Sequence, residues 1–209
     1  MSFEITRARP DDDMLVIGDL IFETDLLLFP FLLKPKHKAV PFWANMAKQV
    51  GNRFSYQRMW SARQSSQVVG ILIGYDDKDI STLTDLWQFA KTCPKRDLLG
   101  LALRSSTLDL RLNSHHYPNS MYIQNICVHE NFRRQGIATA MIQQFAAEAQ
   151  LNKYAKVFLD VSIENPTAKK VYENQGFRVI KQKQLNFRGH NLGTYLMEKI
   201  LSPQDQTKP

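Results

Sequence analysis

The chain up to Tyr75 alternates between strand-like and helix-like hydrophobic patterns. Phe3–Arg7 places apolar and polar residues in turn, which is typical of an edge strand. Helical spacing follows Asp13, a suitable capping residue, and prolines then interrupt an apolar stretch before a second helix predicted around Phe42–Gln49. Two further apolar runs, Phe54–Ala62 and Val68–Tyr75, flank a polar loop of moderate length. These two runs predict a β-hairpin.

Between Asp76 and Ser120 the strand pattern stops. Apolar residues recur there at helical spacing and continue after Pro94, so we expect a largely helical insertion. An amphipathic helix must bury its apolar face, here on the domain or on a second subunit. The residues that define this face are Ile80, Leu83, Leu86, Phe89 and Ala90.

Strand and helix patterns alternate regularly over the C-terminal half. The predicted order is strand, helix, strand, helix, strand and strand. The corresponding ranges are Met121–Val128, Gly136–Gln150, Val157–Val161, Asn165–Gln175, Phe177–Gln184 and Thr194–Leu201. Together with the N-terminal elements they predict one mixed α/β domain over residues 1–201, with an insertion over residues 76–120. Residues 202–209 are expected to form a flexible polar tail.

Composition and charge are those of an ordinary globular domain. Hydrophobic residues make up 44% of the 209 residues, and 27 Lys and Arg against 20 Asp and Glu give a net charge of +7. This charge attracts polyanions such as nucleic acid, a membrane surface or a phosphorylated cofactor. Cys93 and Cys127 are the only cysteines, too few for a disulfide framework. Since we find no signal-peptide or membrane-spanning pattern, we expect a cytoplasmic protein.

The segment from Val128 to Ala138 carries the first chemical signal, because it joins a strand to a helix through a basic turn that contains a glycine. The first N–H groups of a helix lack intrahelical partners and carry partial positive charge, which suits them to phosphate. Gly136 permits a phosphate to approach the backbone closely, and Arg133 and Arg134 add two positive charges. Taken alone, these residues are equally compatible with an ordinary helix start beside two solvated arginines.

A second signal lies in the helix predicted to start at Asn165. Asn165 and Pro166 suit the N-cap and the first position of a helix, and Gly176 suits its end. Such caps are structural, but Ala168 and Tyr172 follow Asn165 along one helical face. These residues are therefore placed to approach whatever the glycine turn binds.

At these two segments the sequence resembles the GCN5-related N-acetyltransferase (GNAT) superfamily. Arg133–Ala138 reads R-x-x-G-x-A and fits the family's acyl-CoA pyrophosphate signature. Asn165–Phe177 reads N-x-x-A-x-x-x-Y-x-x-x-G-F and fits its second block at every marked position. The resemblance is specific from about Met121 to Ile200, loose from Phe3 to Tyr75, and absent from Asp76 to Ser120.

The resemblance implies a three-layer mixed α/β fold of the α+β type. Its twisted, mostly antiparallel sheet would contain one splayed parallel strand pair and carry helices on both faces. Acetyl-CoA, as cosubstrate, would insert its pantetheine arm between the splayed strands, and the amides from Arg134 to Thr139 would bind its pyrophosphate. Tyr172 would hydrogen-bond the departing thiolate. The cofactor-binding positions implied are Ile126, Cys127, Val128, Arg133, Arg134, Gln135, Gly136, Ile137, Ala138, Thr139, Asn165 and Ala168.

Several candidates exist for the base that removes the amine proton. In the strand Val157–Val161, Asp160 faces away from the alternating apolar residues. Some protein-acetylating members of the family carry a glutamate base in this strand, so the resemblance implies a catalytic role for Asp160. Glu164, Glu130 and an ordered water chain are alternatives. A merely paired or solvated carboxylate is an equally open interpretation of Asp160.

We therefore expect acetyl transfer from acetyl-CoA to a primary amine of a small molecule or peptide, by direct attack in a ternary complex. The alternative is a non-catalytic acyl-CoA-binding sensor. We expect no membrane partner and no nucleic-acid partner, because no nucleic-acid recognition motif accompanies the charge. A homodimer stays open. No metal site is expected, since the histidines lack ligand spacing, and Cys127 is expected to be a small buried hydrophobe instead of a nucleophile.

Overall fold

Seven strands form one sheet in the computed structural model, which describes residues 2–24, 35–76, 78, 81–93, 117–187 and 190–201. The strands are β1 (Glu4–Arg7), β2 (Met59–Gln64), β3 (Gln67–Tyr75), β4 (Ser120–Val128), β5 (Lys156–Ser162), β6 (Arg178–Phe187) and β7 (His190–Ile200). Their order across the sheet is β1-β2-β3-β4-β5-β7-β6. The β4–β5 pair is parallel, and the other neighbouring pairs are antiparallel.

Five α-helices lie in the described residues. They are α1 (Met14–Glu23), α2 (Lys36–Lys48), α3 (Thr82–Thr92), α4 (Ile137–Leu151) and α5 (Pro166–Asn174). Short 3-10 turns at Tyr56–Arg58 and Glu130–Phe132 precede β2 and α4. Within this part of the chain, every helix is too short or too polar to cross a bilayer.

The helices cover both faces of the sheet. On one face, α1 and α2 contribute Ile17 and Trp43 to a core cluster that includes Ile71 of β3. On the other face, Phe145 of α4 and Leu159 of β5 belong to a second cluster that also contains residues of α5. We call these the α1 face and the α4 face. The predicted three-layer mixed α/β fold is confirmed.

The hairpin between β2 and β3 is tighter than predicted. Gln64 pairs directly with Gln67, so Ser65 and Ser66 alone form the turn, with φ angles of 49° and 67°. Two consecutive positive φ angles are characteristic of a type I′ turn, which usually contains Asn or Gly. Because serine is an uncommon residue at such positions, the sequence predicts a longer loop than the one observed.

Helix α2 begins at Lys36 instead of near Phe42, and it contains Pro41. Proline has no N–H to donate within the helix, so the sequence predicts an interruption at this point. In the structure, the face of the helix that includes Phe42, Trp43 and Met46 is buried. Burial of this face compensates for the lost hydrogen bond, since tertiary packing supplies most helical stability in proteins.

Helix α3 confirms a helix within the insertion, but only part of its predicted apolar face packs on the domain. Leu83 and Leu86 expose 80% and 59% of their surface, so neither is buried on the domain, and burial on a second subunit stays a prediction. Phe89 does pack inward, with its ring centroid 4.8 Å from that of Phe42. The predicted face residue Ile80, residues 94–116 of the insertion and the tail at residues 202–209 lie outside the described residues.

Polar contacts explain the orientation of α3. The backbone N–H and the Nε of Arg53 donate to the two carboxylate oxygens of Asp85, at 2.9 and 2.8 Å. The fully buried Asn52 donates from Nδ2 to Gln88 Oε1 at 2.7 Å. These contacts satisfy buried polar groups, which are costly to leave unpaired. They therefore hold Asp85 and Gln88 inward and turn the leucines outward.

Candidate active site

Strands β4 and β5 are paired for only part of their length. Parallel pairing runs from Ser120 opposite Lys156 to Ile123 opposite Leu159, and then stops, although β4 continues to Val128. Beyond this point β4 pairs with β3 and β5 pairs with β7. The two strands therefore form a cleft whose facing N–H and C=O groups are open to an extended, amide-bearing ligand. The predicted splayed pair is confirmed.

A β-bulge lies where the cleft begins. On β3, Ile73 is opposite Asn125, whereas the next residue, Gly74, is opposite Ile123. Gln124 is therefore an extra residue in β4, and an extra residue bends a strand and increases its twist. The bulge explains why β4 turns away from β5 immediately after Ile123.

A chain of hydrogen bonds connects this bulge to the end of α1. Tyr75 Oη donates to Gln124 Oε1 at 2.6 Å, and Gln124 Nε2 donates to Asn125 Oδ1 at 2.8 Å. Asn125 Nδ2 in turn donates to Oγ1 of Thr24, the residue that ends α1, at 2.7 Å. None of these residues belongs to the two motifs that the sequence singles out. The signal was the adjacent polar pair Gln124-Asn125, which breaks the alternation of an apolar strand.

The turn between β4 and α4 presents a row of unpaired N–H groups. The first hydrogen bond of α4 runs from the Ala140 N–H to the Gly136 carbonyl at 2.9 Å. None of the hydrogen bonds among the described residues is donated by the N–H groups from Arg134 to Thr139. Arg134 has a φ of 62°, which is strained for a non-glycine residue, and such strain concentrates at ligand sites. A row of unpaired N–H groups at a helix N-terminus is suited to an anion.

The residues of this turn fit a pyrophosphate. Gly136 has a φ of 80°, and a Cβ at this position would meet no heavy atom within 4 Å, so the space in front of the N–H groups is open. Arg133 and Arg134 are both exposed and add positive charge. Arg133 also has a structural role, because its Nε donates to the Val128 carbonyl at 3.0 Å and closes the turn.

Helix α5 brings the second predicted block to the α4 face. Asn165 caps the helix by accepting a hydrogen bond from the Ala168 N–H at 3.0 Å, and its side-chain amide donates to no other described residue. Tyr172 is buried, with its ring centroid 6.0 Å from that of Phe177. Burial raises the pKa of Tyr172 well above its usual range. Its hydroxyl therefore stays protonated at neutral pH and is available as a hydrogen-bond donor.

Asp160 lies at the closed end of the cleft, as the first β5 residue beyond the paired Leu159. Its carboxylate accepts hydrogen bonds from Tyr122 Oη at 3.0 Å and from Thr194 Oγ1 at 3.5 Å. Lys183 Nζ lies 3.8 Å from Asp160 Oδ1. Because Leu159 belongs to the core of the α4 face, Asp160 lies on the α1 face. It is a paired carboxylate next to the point where β4 and β5 diverge.

The other candidate carboxylates lie at the open end of the cleft. Glu130 follows β4 and Glu164 follows β5, and both are exposed. Their greater distance along the strands from the point of divergence distinguishes them from Asp160.

Cys127 is a buried thiol on β4. It belongs to the core of the α1 face and is 8% exposed. Burial raises its pKa to about 11, although the nearby Arg133 acts in the opposite direction. The thiol is therefore neutral at physiological pH, and the prediction that Cys127 is a small buried hydrophobe is confirmed.

Known proteins share both the sequence and the fold of this chain. A family model described as Acetyltransferase (GNAT) family matches residues 29–177. GCN5-related N-acetyltransferase 6, chloroplastic, from Arabidopsis thaliana is 32% identical over 77 residues, which are 37% of this chain and 26% of that protein. GCN5-related N-acetyltransferase 4, chloroplastic, from the same plant is 42% identical over 60 residues, which are 29% of this chain and 21% of that protein. The chain thus matches about a quarter of the length of these relatives.

Solved structures share the fold over nearly the whole chain. The N-acetyltransferase from Staphylococcus aureus Mu50 superposes with a TM-score of 0.71 at 20% identity, covering 92% of this chain and 99% of that one. At this identity the likeness shows the fold alone. The family match, in contrast, spans most of the chain and includes the turn between β4 and α4 and both diverging strands. The chain therefore belongs to the acetyltransferase (GNAT) family.

Proposed function

We propose that this protein transfers an acetyl group from acetyl-CoA to a primary amine, by direct attack of the amine on the thioester in a ternary complex. The observation that carries the proposal is the row of unpaired N–H groups from Arg134 to Thr139, which directly follows the strand that forms one wall of the cleft. A cleft lined by backbone amides and followed directly by an anion site matches the pantetheine and the pyrophosphate of coenzyme A.

In this proposal, backbone groups make most of the contacts with acetyl-CoA. The N–H groups from Arg134 to Thr139 bind the pyrophosphate, with Arg133 adding charge. The open edge of β4 at Ile126–Val128 pairs with the pantetheine amides. Asn165, whose Oδ1 is used by the helix cap, offers its side-chain N–H groups to the same arm. When bound, the thioester supplies an activated acyl group and a thiol leaving group.

Tyr172 stabilises the leaving group by a hydrogen bond. A free thiol has a pKa near 8.5 and a free tyrosine a pKa near 10, so full proton transfer from tyrosine to a thiolate is already unfavourable. Burial of Tyr172 raises its pKa further and widens this gap. The hydroxyl therefore donates to the developing negative charge on sulfur and keeps its proton.

The amine approaches from the α1 face, because this is the face that carries the Asp160 carboxylate. On the α1 face the Asp160 carboxylate lies beside the start of the cleft. Its negative charge attracts an ammonium group, and it accepts a proton from the attacking nitrogen directly or through water. Tyr122 and Thr194, which donate to Asp160, fix the orientation of the carboxylate.

Calorimetry with acetyl-CoA, followed by a thiol-release assay across amines, amino acids and peptides, tests the proposal. We expect binding of acetyl-CoA and release of free thiol with one class of amine. Coenzyme A without the acetyl group is the binding control and should also bind, since the pyrophosphate and pantetheine contacts are retained. No affinity for either compound at millimolar concentration would overturn the proposal.

A non-catalytic acyl-CoA-binding sensor is the second candidate. It is favoured by the environment of Asp160, whose carboxylate is already engaged by Tyr122, Thr194 and Lys183. A sensor binds acetyl-CoA in the calorimeter but releases no thiol with any acceptor in the panel. The same two measurements therefore distinguish the candidates.

A further inference from the structure

Lys183 places a primary amine beside the carboxylate at the closed end of the cleft. It lies on the edge strand β6, and β7 separates that strand from β5. Its side chain nevertheless reaches Asp160, with Nζ 3.8 Å from Oδ1. Only 14% of the Lys183 side chain is exposed. Lysines on edge strands usually extend into solvent, so this covered position requires an explanation.

Two other cations of the sheet, on β5 and β6, have a different partner. Lys156 Nζ donates to Glu198 Oε2 at 2.9 Å, and Arg178 donates to Oε1 of the same carboxylate at 2.8 Å. Both are hydrogen-bonded ion pairs. The 3.8 Å separation of Lys183 from Asp160 exceeds hydrogen-bond distance, so this pair is held by charge alone.

We infer that Lys183 is itself an acyl acceptor, so that the chain modifies its own strand β6 from the acyl-CoA that it binds. This inference rests on the proposed function, because the donor must occupy the cleft. Asp160 marks the point where β4 and β5 diverge, on the face from which an amine arrives. The Lys183 amine already lies at this point, which gives it a large effective concentration over any free amine.

The reaction is balanced by groups at the site. Lys183 first loses its ammonium proton to the Asp160 carboxylate. The neutral nitrogen attacks the thioester carbon, an N–C bond forms, and the C–S bond breaks. The thiolate takes up the second amine proton and leaves as free coenzyme A, while Asp160 passes its proton to solvent. The product is a neutral amide at Lys183, and Asp160 loses its cationic partner.

Mass spectrometry of the full chain incubated with acetyl-CoA tests this inference. Lys181, two residues earlier on β6 and exposed, is the internal control. Chemical acylation without a site favours the more exposed lysine, so it would label Lys181 first. We expect one acetyl group per chain, mapped to Lys183, with a rate about a hundredfold above that of Lys181, the size of a typical general-base contribution.

Two variants check the roles of the partners. Lys183→Arg keeps a cation beside Asp160 but cannot be acylated at this position under the same conditions, and it should lose the label. Asp160→Asn should reduce the labelling rate of Lys183 to that of Lys181. Tyr122→Phe retains the carboxylate, so Lys183 should be labelled faster in this variant than in Asp160→Asn. If Asp160→Asn fails to fold, the comparison of Lys183 with Lys181 in the wild-type chain still decides the inference.

The outcomes separate this inference from the proposed function. Binding of acetyl-CoA in the calorimeter together with equal labelling of Lys183 and Lys181 would overturn the inference and leave the proposed function intact. Absence of acetyl-CoA binding would overturn both. Full labelling of Lys183 in Asp160→Asn would refute the role of the carboxylate as proton acceptor.

Discussion

Replacing Gly136 and Gly176 by alanine, one at a time, distinguishes the stability cost of backbone strain from a loss of acetyl-CoA affinity. The two glycines have φ angles of 80° and 86°, and in both a Cβ would meet no heavy atom within 4 Å. Alanine at such a φ costs about 1 to 2 kcal/mol, partly offset by about 0.4 to 1 kcal/mol from the reduced entropy of the unfolded chain. Each variant should lose about 1 kcal/mol of stability, which lowers Tm by about 2 to 4 °C for a chain of this size.

Only Gly136 lies in the turn between β4 and α4, which is the proposed pyrophosphate site. Its added methyl group enters the space proposed for the pyrophosphate and displaces at least one charge-assisted hydrogen bond, worth about 1.5 to 3 kcal/mol. Since about 1.4 kcal/mol is a tenfold change in Kd, acetyl-CoA affinity should fall at least about tenfold in Gly136→Ala. Gly176 follows the end of α5, away from this turn, so the acetyl-CoA Kd of Gly176→Ala should stay within about twofold of the wild-type value.

Thermal unfolding and isothermal titration calorimetry measure the two effects on the same samples. Equal acetyl-CoA Kd values in both variants would refute the placement of the pyrophosphate at this turn. A much larger loss of stability in one variant than in the other would refute the argument that both substitutions carry the same backbone cost.

Three further changes test the helices and the buried groups. Tyr172→Phe should lower kcat about ten- to thousandfold, with acetyl-CoA affinity almost unchanged, in steady-state assays once an acceptor is known. Burial raises the pKa of the Cys127 thiol from 9.0 to about 11, so the free energy of unfolding should fall as pH rises over that range. Chemical denaturation of Cys127→Ala should not show this fall. Glu148→Ala, which removes the acceptor of the Trp60 indole N–H, should cost about 1 to 3 kcal/mol in chemical denaturation, and Glu148→Gln less.

One experimental result would contradict each of these predictions. An unchanged kcat in Tyr172→Phe would assign the tyrosine to packing alone. Identical pH dependence of stability in wild type and Cys127→Ala would contradict the buried, neutral thiol. Equal destabilisation by Glu148→Ala and Glu148→Gln would show that the charge paired with Arg7 matters more than the indole hydrogen bond.

Local backbone signals made the turn before α4 and the helix α5 predictable from sequence. Asn165, Pro166 and Gly176 specify the start and end of α5 through contacts within a few residues, and the structure has the helix at those positions. Gly136 likewise precedes α4 directly and takes the left-handed conformation that glycine favours. Such signals depend on the nearest neighbours in the chain, so a pattern of residue types contains them.

The features that the sequence did not reveal depend on distant residues. Pro41 lies inside α2 because Phe42 and Trp43 bury the helix against the rest of the α1 face. Asp85 lies inward because Arg53, 32 residues earlier, pairs with it. In each case a tertiary contact outweighs the local preference, and a periodicity argument has no access to such a contact.

In the proposed function, the acetyl-CoA half and the amine half of the cleft differ in the same way, and the difference explains why the fold would specify acetyl-CoA better than the amine. The donor half is a continuous stretch of backbone N–H groups, so many sequences can build it provided that the turn and its glycine are kept. The proposed amine half combines side chains from four strands, which are Tyr122, Asp160, Lys183 and Thr194. A single substitution among them changes the charge or size of the amine that fits without disturbing the turn. Acceptors are therefore best compared with the donor held constant and these four side chains varied one at a time.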